Sequence, residues 1–404
     1  MRVLYLCHRI PYPPDKGDKI RAFHQLRAIG QRHEVDLFSL ADDPGDSAHS
    51  AVLAKFCRRV ELAGLNPTWS RVRSLPFLLT RSPLTVPYFH SPKLDAGVRK
   101  ALGERTYDRI YVYCSAMAQY VDQVRGIPVM TDLVDMDSDK WTQYAQSTGF
   151  PLSAVYRREG RLLREYERHV CEMSVCVLVS TEREGQLARL ISGATPVHVI
   201  SNGVDTDYFQ PPPVAPGADR PAIVFTGDMS YFPNAEAVNW FARDVLPLIQ
   251  ESLPIARFLI VGRNPGPKVW DLRKLAGVEV TGFVPDVRKY LEQAQVAVAP
   301  FSIAAGIQNK ILEAMAFGLP VVATTRAVQG LSREVAAGVD TADTASEMAA
   351  KILSLLHGAD QAREKGKRGR ERVATNYKWG ESLDRLVALL ENPSLADVPF
   401  AKVH

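Results

Sequence analysis

Lys310 and Glu313 stand three residues apart, a spacing that puts an ammonium and a carboxylate on the same side of a helix. Just ahead of them, Gly306-Ile307-Gln308-Asn309 supplies a small-residue turn at the start of that helix, where backbone N–H groups have no intrahelical partner. Such donors beside a cation suit a phosphate, and a carboxylate one turn on suits the hydroxyls of an adjoining ribose. The plain alternative is an i,i+3 ion pair worth about 0.2–0.5 kcal/mol. Other chemistry-bearing residues also fall at strand ends. Gly17 follows the first strand, Gly227 and Arg263 close two later ones, and Phe283-Val284 follow another. Ser115 and the run Asp135-Met-Asp137-Ser-Asp139-Lys140-Trp141 end two more. Aspartates at alternate positions can chelate a divalent ion, but they serve equally for capping and ion pairing, so no metal is expected.

The elements that position these residues follow from periodicity. Short apolar runs read as buried strands at Val3–Cys7, Val35–Leu40, Arg109–Tyr113, Pro128–Val134, Val175–Ser180 and Val197–Ile200. The pattern restarts at Ala222–Thr226, Arg257–Val261, Val278–Val280, Val296–Ala299 and Val321–Ala323. Helical periodicity lies between them, so the fold class is α/β with parallel sheets. Gly318 and Pro320 end the helix carrying Glu313. Asn234 reads as a helix cap and Ala51–Val60 as a helix, while Leu75–Pro92 is too broken by proline to assign. Tyr156–Val170 is an arginine-rich helix that suits either a solvated face or an anionic membrane surface. The basic run Arg363–Arg372 reads as a solvated helix end or loop.

A chain of 404 residues exceeds one growing core, so two domains are expected, split at the stiff linker Pro211-Pro-Pro213-Val-Ala-Pro216-Gly217. With 46% hydrophobic and 23% charged residues the composition is that of a globular protein, and a net charge of +4 does not call for nucleic acid. Five scattered cysteines make no disulfide framework, which points to the cytoplasm. The first residues read as a strand and not a signal peptide, and no apolar run is long enough to span a membrane.

Neither half has the Gly-x-Gly-x-x-Gly turn of dinucleotide enzymes. Instead Asn202-Gly203-Val204-Asp205 and Glu313-Ala-Met-Ala-Phe-Gly-Leu-Pro-Val-Val322 closely resemble the retaining family-four glycosyltransferases of GT-B architecture. More narrowly, Tyr12-Pro-Pro-Asp-Lys-Gly-Asp-Lys-Ile-Arg21, the Asp135–Trp141 run and Gly160-Arg-Leu-Leu163 resemble the exosortase-associated sugar transferases of exopolysaccharide gene clusters. The resemblance implies two Rossmann-like domains facing across a cleft: residues 1–205 on the acceptor side and 221–377 holding the donor. Residues 206–220 would link them, and a terminal helix near 378–395 would pack back on the first domain. It also implies a nucleotide-sugar co-substrate, UDP- or GDP-linked, a saccharide or lipid-linked acceptor, and a place at the inner face of the cytoplasmic membrane. No other cofactor, no metal and no nucleic acid are implied.

By this likeness Glu313 binds the ribose, and Gly17 marks the loop that approaches the donor phosphate. Gly227, Arg263, Phe283, Val284 and the Gly306–Lys310 turn line the donor, while Lys19, Arg21, Ser115, Asp135, Asp137, Asp139 and Lys140 face the acceptor. Departures shift weight onto Lys310. The first glutamate of the family's Glu-x7-Glu motif is Ala305, the family's Arg and Lys are absent around Gly227-Asp228-Met229 and Phe232-Pro233, and no histidine stands at Cys114 or Ser115. A sugar-nucleotide epimerase and a non-catalytic nucleotide-sugar binder are the competing expectations.

Overall fold

The computed structural model describes residues 1–14, 16–211, 221–304 and 306–393. Ala305, most of the expected linker and the end of the chain lie outside the described residues. The chain divides into two compact units, Met1–Ser201 with the chain from Gly380 onward, and Asn202–Trp379.

In the first unit β1 (Arg2–Cys7) leads through α1 (Gly17–Gly30) to β2 (Glu34–Ala41) and β3 (Arg59–Gly64), followed by the short helix α2 (Pro67–Ser74). Next come β4 (Arg109–Tyr113), β5 (Val129–Val134), α3 (Asp137–Ser147), α4 (Leu152–Met173), β6 (Cys176–Val179), α5 (Glu182–Arg189) and β7 (Val197–Val199). The strands form a parallel sheet in the order β3-β2-β1-β4-β5-β6-β7, so the order reverses beside β1. Open α/β sheets bind ligands beyond the strand ends at such a reversal. One face buries Leu4, Leu6, Phe38 and Val112, and the other Val3, Tyr5, Leu37 and Tyr111. This two-sided burial is why the strands read as near-continuous apolar runs.

The second unit repeats the plan with β8 (Ala222–Thr226), α6 (Phe232–Trp240), β9 (Arg257–Val261), β10 (Val278–Gly282), β11 (Val296–Ala299), α7 (Asn309–Ala316), β12 (Val321–Ala323) and β13 (Asp340–Thr341). Its parallel order is β10-β9-β8-β11-β12-β13. Gly318, at φ +83°, closes α7 in the left-handed region. The long helix α8 (Ala359–Asn376) packs closely on that turn, since a Cβ on Gly366 would lie 1.9 Å from Gly318 O. The last helix, α9 (Trp379–Glu391), belongs to the first unit and buries Leu386, Val387, Leu389 and Leu390 in the core that holds Val3 and Tyr5.

Three sequence expectations need correction. The helix expected over Ala51–Val60 is confined to Ser50–Leu53, because Arg59–Gly64 pairs along β2 from Asp36 to Ala41. Sheet pairing outweighs the local helix preference. Asn234 does not cap: α6 begins two residues earlier, and the Asn234 side chain is used inside the unit. The basic run Arg363–Arg372 lies within α8, and its Arg370 reaches inward to donate to Phe209 O at 2.6 Å and Thr206 O at 3.0 Å.

Candidate functional site

Lys310 sits in the first turn of α7, and its amine turns away from Glu313. Nζ donates to Asn234 Oδ1 at 2.7 Å and lies over the rings of Phe301 and Phe225, 4.4 and 4.9 Å from their centroids. Asn234 is oriented in turn by donating Nδ2 to Asp228 O at 2.8 Å. Phe225 comes from β8, Phe301 follows β11 and Asn234 lies in α6, so neighbouring parallel strands and one helix converge on a single cation. Two ring faces and one neutral amide stabilise the ammonium less than water does. Burial therefore pulls Lys310 down to about 7, against a partial opposing pull from the charge of Glu313.

Glu313, one turn further along, is half-buried, and among the described residues no group donates to its carboxylate. Burial pushes it up to about 7, opposed by Lys310. The i,i+3 ion pair that the spacing allows does not form, because Lys310 is directed to Asn234. Near neutrality the pair is poised: an anion beside Nζ would favour the ammonium, and hydroxyls beside Glu313 would favour the carboxylate.

Glycines make room around these groups. A Cβ on Gly227 would lie 2.8 Å from Asn234 Nδ2 and 3.4 Å from Lys310 Nζ, so the absent side chain leaves the amine approachable. Gly306 takes φ +60°, and a Cβ on Gly330 would fall 2.0 Å from its carbonyl oxygen. Gly330 thus lets the turn seat before α7. Asn309, first in α7, accepts from Asn202 Nδ2 at 3.1 Å, which ties the Asn202-Gly203 loop to the helix start. Gln308 occupies the position before the helix without capping it through its side chain, and Ile307 packs against the core.

Arg263 is committed to Asp228, Nε to Oδ2 at 3.1 Å, while Asn264 and Ser230 also donate to that carboxylate. It is thus fixed at the β9 end beside Gly262, where an added Cβ would fall 1.7 Å from Gly227 O. Phe283 is 71% exposed after β10, a large apolar ring left in water, and Val284 packs partly on the core.

In the first unit Gly17 opens α1 and is exposed. The following Asp18 receives Arg9 Nη1 at 2.8 Å and faces His8 Nε2 at 3.4 Å. Burial would raise Asp18, but the His8 contact and the Arg9 charge outweigh it and hold the carboxyl well below its usual range. Two expected acceptor-side residues point inward instead. Lys19 is buried with its Nζ 3.3 Å from Asp46, and Arg21 is fully buried, donating to Asp132 at 2.9 Å and to Ile200 O at 2.5 Å. On α1 both positions fall on the side facing the sheet, so their charge is used in holding the fold.

Ser115 is buried at the end of β4. The acidic run is neutralised piece by piece: Asp135 accepts from Ser180 Oγ at 2.8 Å, Asp137 lies 3.6 Å from Lys140, and Asp139 pairs with Arg183 at 2.7 Å. Lys140 lies in α3, Ser180 directly after β6 and Arg183 in α5, so the cluster gathers beyond the carboxyl ends of β5 and β6. Burial also raises Asp135 and, with the charge of Asp135, pushes Glu184 up to about 7. Sequence reasoning missed Asn234 as the partner of Lys310 and Asp18 as the partner of His8. Only the Asn at a helix start and the Asp beside Gly17 signalled them.

Residues 20–203 match the family model described as glycosyl transferase 4-like domain, and residues 220–358 match that of glycosyl transferases group 1. A phosphatidyl-myo-inositol mannosyltransferase of Propionibacterium freudenreichii is 26% identical over 89% of this chain and 86% of its own length. A D-inositol 3-phosphate glycosyltransferase of Jonesia denitrificans is 27% identical over 57% of this chain, and the match spans 60% of that protein. Among solved structures, sucrose-phosphate synthase from Thermosynechococcus elongatus superposes with a TM-score of 0.74 at 20% identity, covering 98% of this chain and all (100%) of that one. Anabaena HepE in complex with UDP and glucose gives 0.69 at 15% identity, over 97% of this chain and 100% of its own.

Proposed function

Since the chain belongs by both of its domains to the GT-B glycosyltransferases, we propose that it moves a sugar, with retention of configuration, from a nucleotide-sugar donor to an acceptor hydroxyl in exopolysaccharide or glycoconjugate synthesis. The observation that carries this reading is the poised pair in the second unit: among the described residues, an amine held only by Asn234 and two ring faces, and a carboxylate with no protein donor.

In this reading Glu313 accepts from the ribose hydroxyls, and Lys310 lies against the diphosphate together with the backbone of Gly306–Asn309. Gly227 leaves room for the phosphates, Arg263 adds positive potential, and Phe283 with Val284 flanks the base. In the first unit Gly17, Ser115 and the Asp135–Lys140 cluster are the residues this reading reserves for substrate. Lys19 and Arg21 support the fold and contact no substrate. HepE was solved with UDP and glucose, which favours UDP as the first nucleotide to try.

The bond from the anomeric carbon to the phosphate oxygen breaks while the acceptor oxygen bonds to that carbon from the same face. The acceptor proton passes to an oxygen of the departing diphosphate, so no protein base is required. Negative charge grows on that diphosphate, where a partly desolvated Lys310 stabilises it more than a solvated lysine could. The ammonium supplies the charge that a divalent ion would otherwise bring.

The test is incubation with a panel of nucleotide sugars and saccharide or lipid-linked acceptors, with and without chelator. Acceptor-dependent release of nucleoside diphosphate, unchanged by chelator, is expected. Donor epimerised without acceptor would overturn the transferase reading, and loss of turnover on chelation would overturn metal independence.

A further inference from the structure

The carboxyl edge of the second sheet holds a cavity that the donor chemistry does not use. It measures about 280 Å³ and lies between α6 and the turns that follow β11, β12 and β13. Ligands of open α/β sheets sit beyond this edge. The walls come from Glu236 and Trp240 of α6, Ser302 after β11, Thr324 and Arg326 after β12, and Asp343 beyond β13. Glu236 and Trp240 stand at i and i+4, so one face of the helix presents both. Ala237 and Ser302 also line the cavity, and their small side chains leave the space open.

The walls are braced against one another without a ligand. Ser302 Oγ donates to Glu236 Oε2 at 2.6 Å, which ties the turn after β11 to α6. Thr324 Oγ1 donates to Phe301 O at 2.7 Å, and the backbone N–H and hydroxyl of Thr325 donate to Asp343 at 2.8 and 2.7 Å. A pocket fixed in this way loses little conformational freedom when it fills.

The polar groups left over define the ligand. Among the described residues no cation pairs with Glu236 or Asp343, and the indole N–H of the half-buried Trp240 finds no acceptor. An anionic ligand would meet both carboxylates. A divalent ion lacks a ligand set, since among the described residues no group of three or more His, Cys, Asp or Glu side chains could hold one. A polyhydroxylated ring matches every group. Its hydroxyls donate to the carboxylates and accept from Arg326 and the indole N–H, while its C–H face lies on the indole ring. Pockets for small molecules run from about 300 to 1,000 Å³, so this volume takes one sugar ring and is too small for a whole nucleotide sugar.

We propose that this cavity is a binding site for a single sugar residue carrying no anionic group, separate from the donor site. Trp240 is its stacking wall, and Glu236 and Asp343 accept the sugar hydroxyls. Phe301, which lies under the Lys310 amine, also lines the cavity and so separates the two sites. The polar groups of this site do not include Lys310 or Glu313, so it stands or falls independently of the donor chemistry proposed above.

The test uses the tryptophan itself. The chain has five tryptophans, and in a proton–nitrogen correlation spectrum of the full chain the indole signal missing from Trp240→Phe reports on the cavity. Titration with methyl α-D-glucopyranoside and with methyl α-D-mannopyranoside should shift that signal to saturation for at least one of them, with a Kd of roughly 1–10 mM. Glucose 1-phosphate should bind at least about tenfold more weakly, because its phosphate meets the two carboxylates. Glu236→Ala removes a charged acceptor from a half-buried position, so it keeps the wild-type Tm and lowers glycoside affinity about tenfold, while the affinity for UDP stays unchanged. No shift of the Trp240 signal with either glycoside, glycoside affinity unaltered in Glu236→Ala, tighter binding of glucose 1-phosphate, or a shift produced by UDP-glucose and not by the free glycosides would each overturn the proposal, the last by making the cavity part of the donor site.

Discussion

Replacing Lys310 by methionine should separate stability from catalysis. The ammonium is drawn from 10.5 to about 7 by burial, a shift equivalent to about 5 kcal/mol against the charged form. Residual solvent exposure trims this to about 3–4 kcal/mol. Methionine fills much of the same volume without that charge, but it leaves Asn234 Oδ1 unpaired, at about 1–2 kcal/mol, and removes two cation–π contacts. The net expectation is a variant as stable as wild type or stabilised by about 1–2 kcal/mol at pH 7. Turnover should nevertheless fall about 10²–10³-fold, as when one preorganised donor to a developing anion is removed. Urea unfolding and initial rates at saturating donor measure the two sides. A variant that turns over within about threefold of wild type, or one that loses activity only because it unfolds, would refute the reasoning.

The same pair sets a pH signature. Glu313 rises from 4.5 to about 7 on folding, so its contribution to stability is lost as pH rises from about 4.5 to 7, whereas Lys310 falls from 10.5 to about 7, so stability is regained from about 7 to 10.5. Urea titrations across pH should show a minimum near neutrality, roughly 1 kcal/mol deep within one pH unit, that is missing from the K310M/E313Q double variant. Gly330→Ala places a Cβ on the Gly306 carbonyl and should weaken donor binding about tenfold or more with little change in the Tm of the first unit, as followed by calorimetry. Arg21→Ala leaves the fully buried Asp132 without its cation and should cost about 3–5 kcal/mol by urea unfolding, whereas a variant that folds normally and loses only acceptor affinity would return Arg21 to the acceptor side.

What was legible in the sequence follows from burial. Strands covered on both faces, such as Arg109–Tyr113, Ala222–Thr226 and Arg257–Val261, read at their observed bounds because each run is apolar but for one polar residue at its end. The edge strand β3 did not, since Arg59 and Glu61 break the run and only pairing with β2 makes it extended. At the candidate site, the turn, the cation and the carboxylate lie close together in sequence and could be read directly. Asn234, 76 residues away, could not, because its role depends on α6 approaching α7. Lys19 and Arg21 misled for a related reason. A charged residue at a helix start beside a glycine loop reads as open to a ligand until Asp46 and Asp132 are found beneath it.

Isothermal titration of UDP, with GDP in parallel, at about pH 8 in buffers of differing ionisation enthalpy tests the donor site most directly. With Lys310 near 7, the unliganded amine is mostly neutral at that pH and must gain a proton beside a diphosphate. We expect uptake of close to one proton on binding to wild type and close to none for Lys310→Met, with at least about tenfold weaker binding in both Lys310→Met and Glu313→Gln. Tight binding without proton uptake, or equal affinity in all three proteins, would contradict the assignment of the nucleotide diphosphate to Lys310 and Glu313.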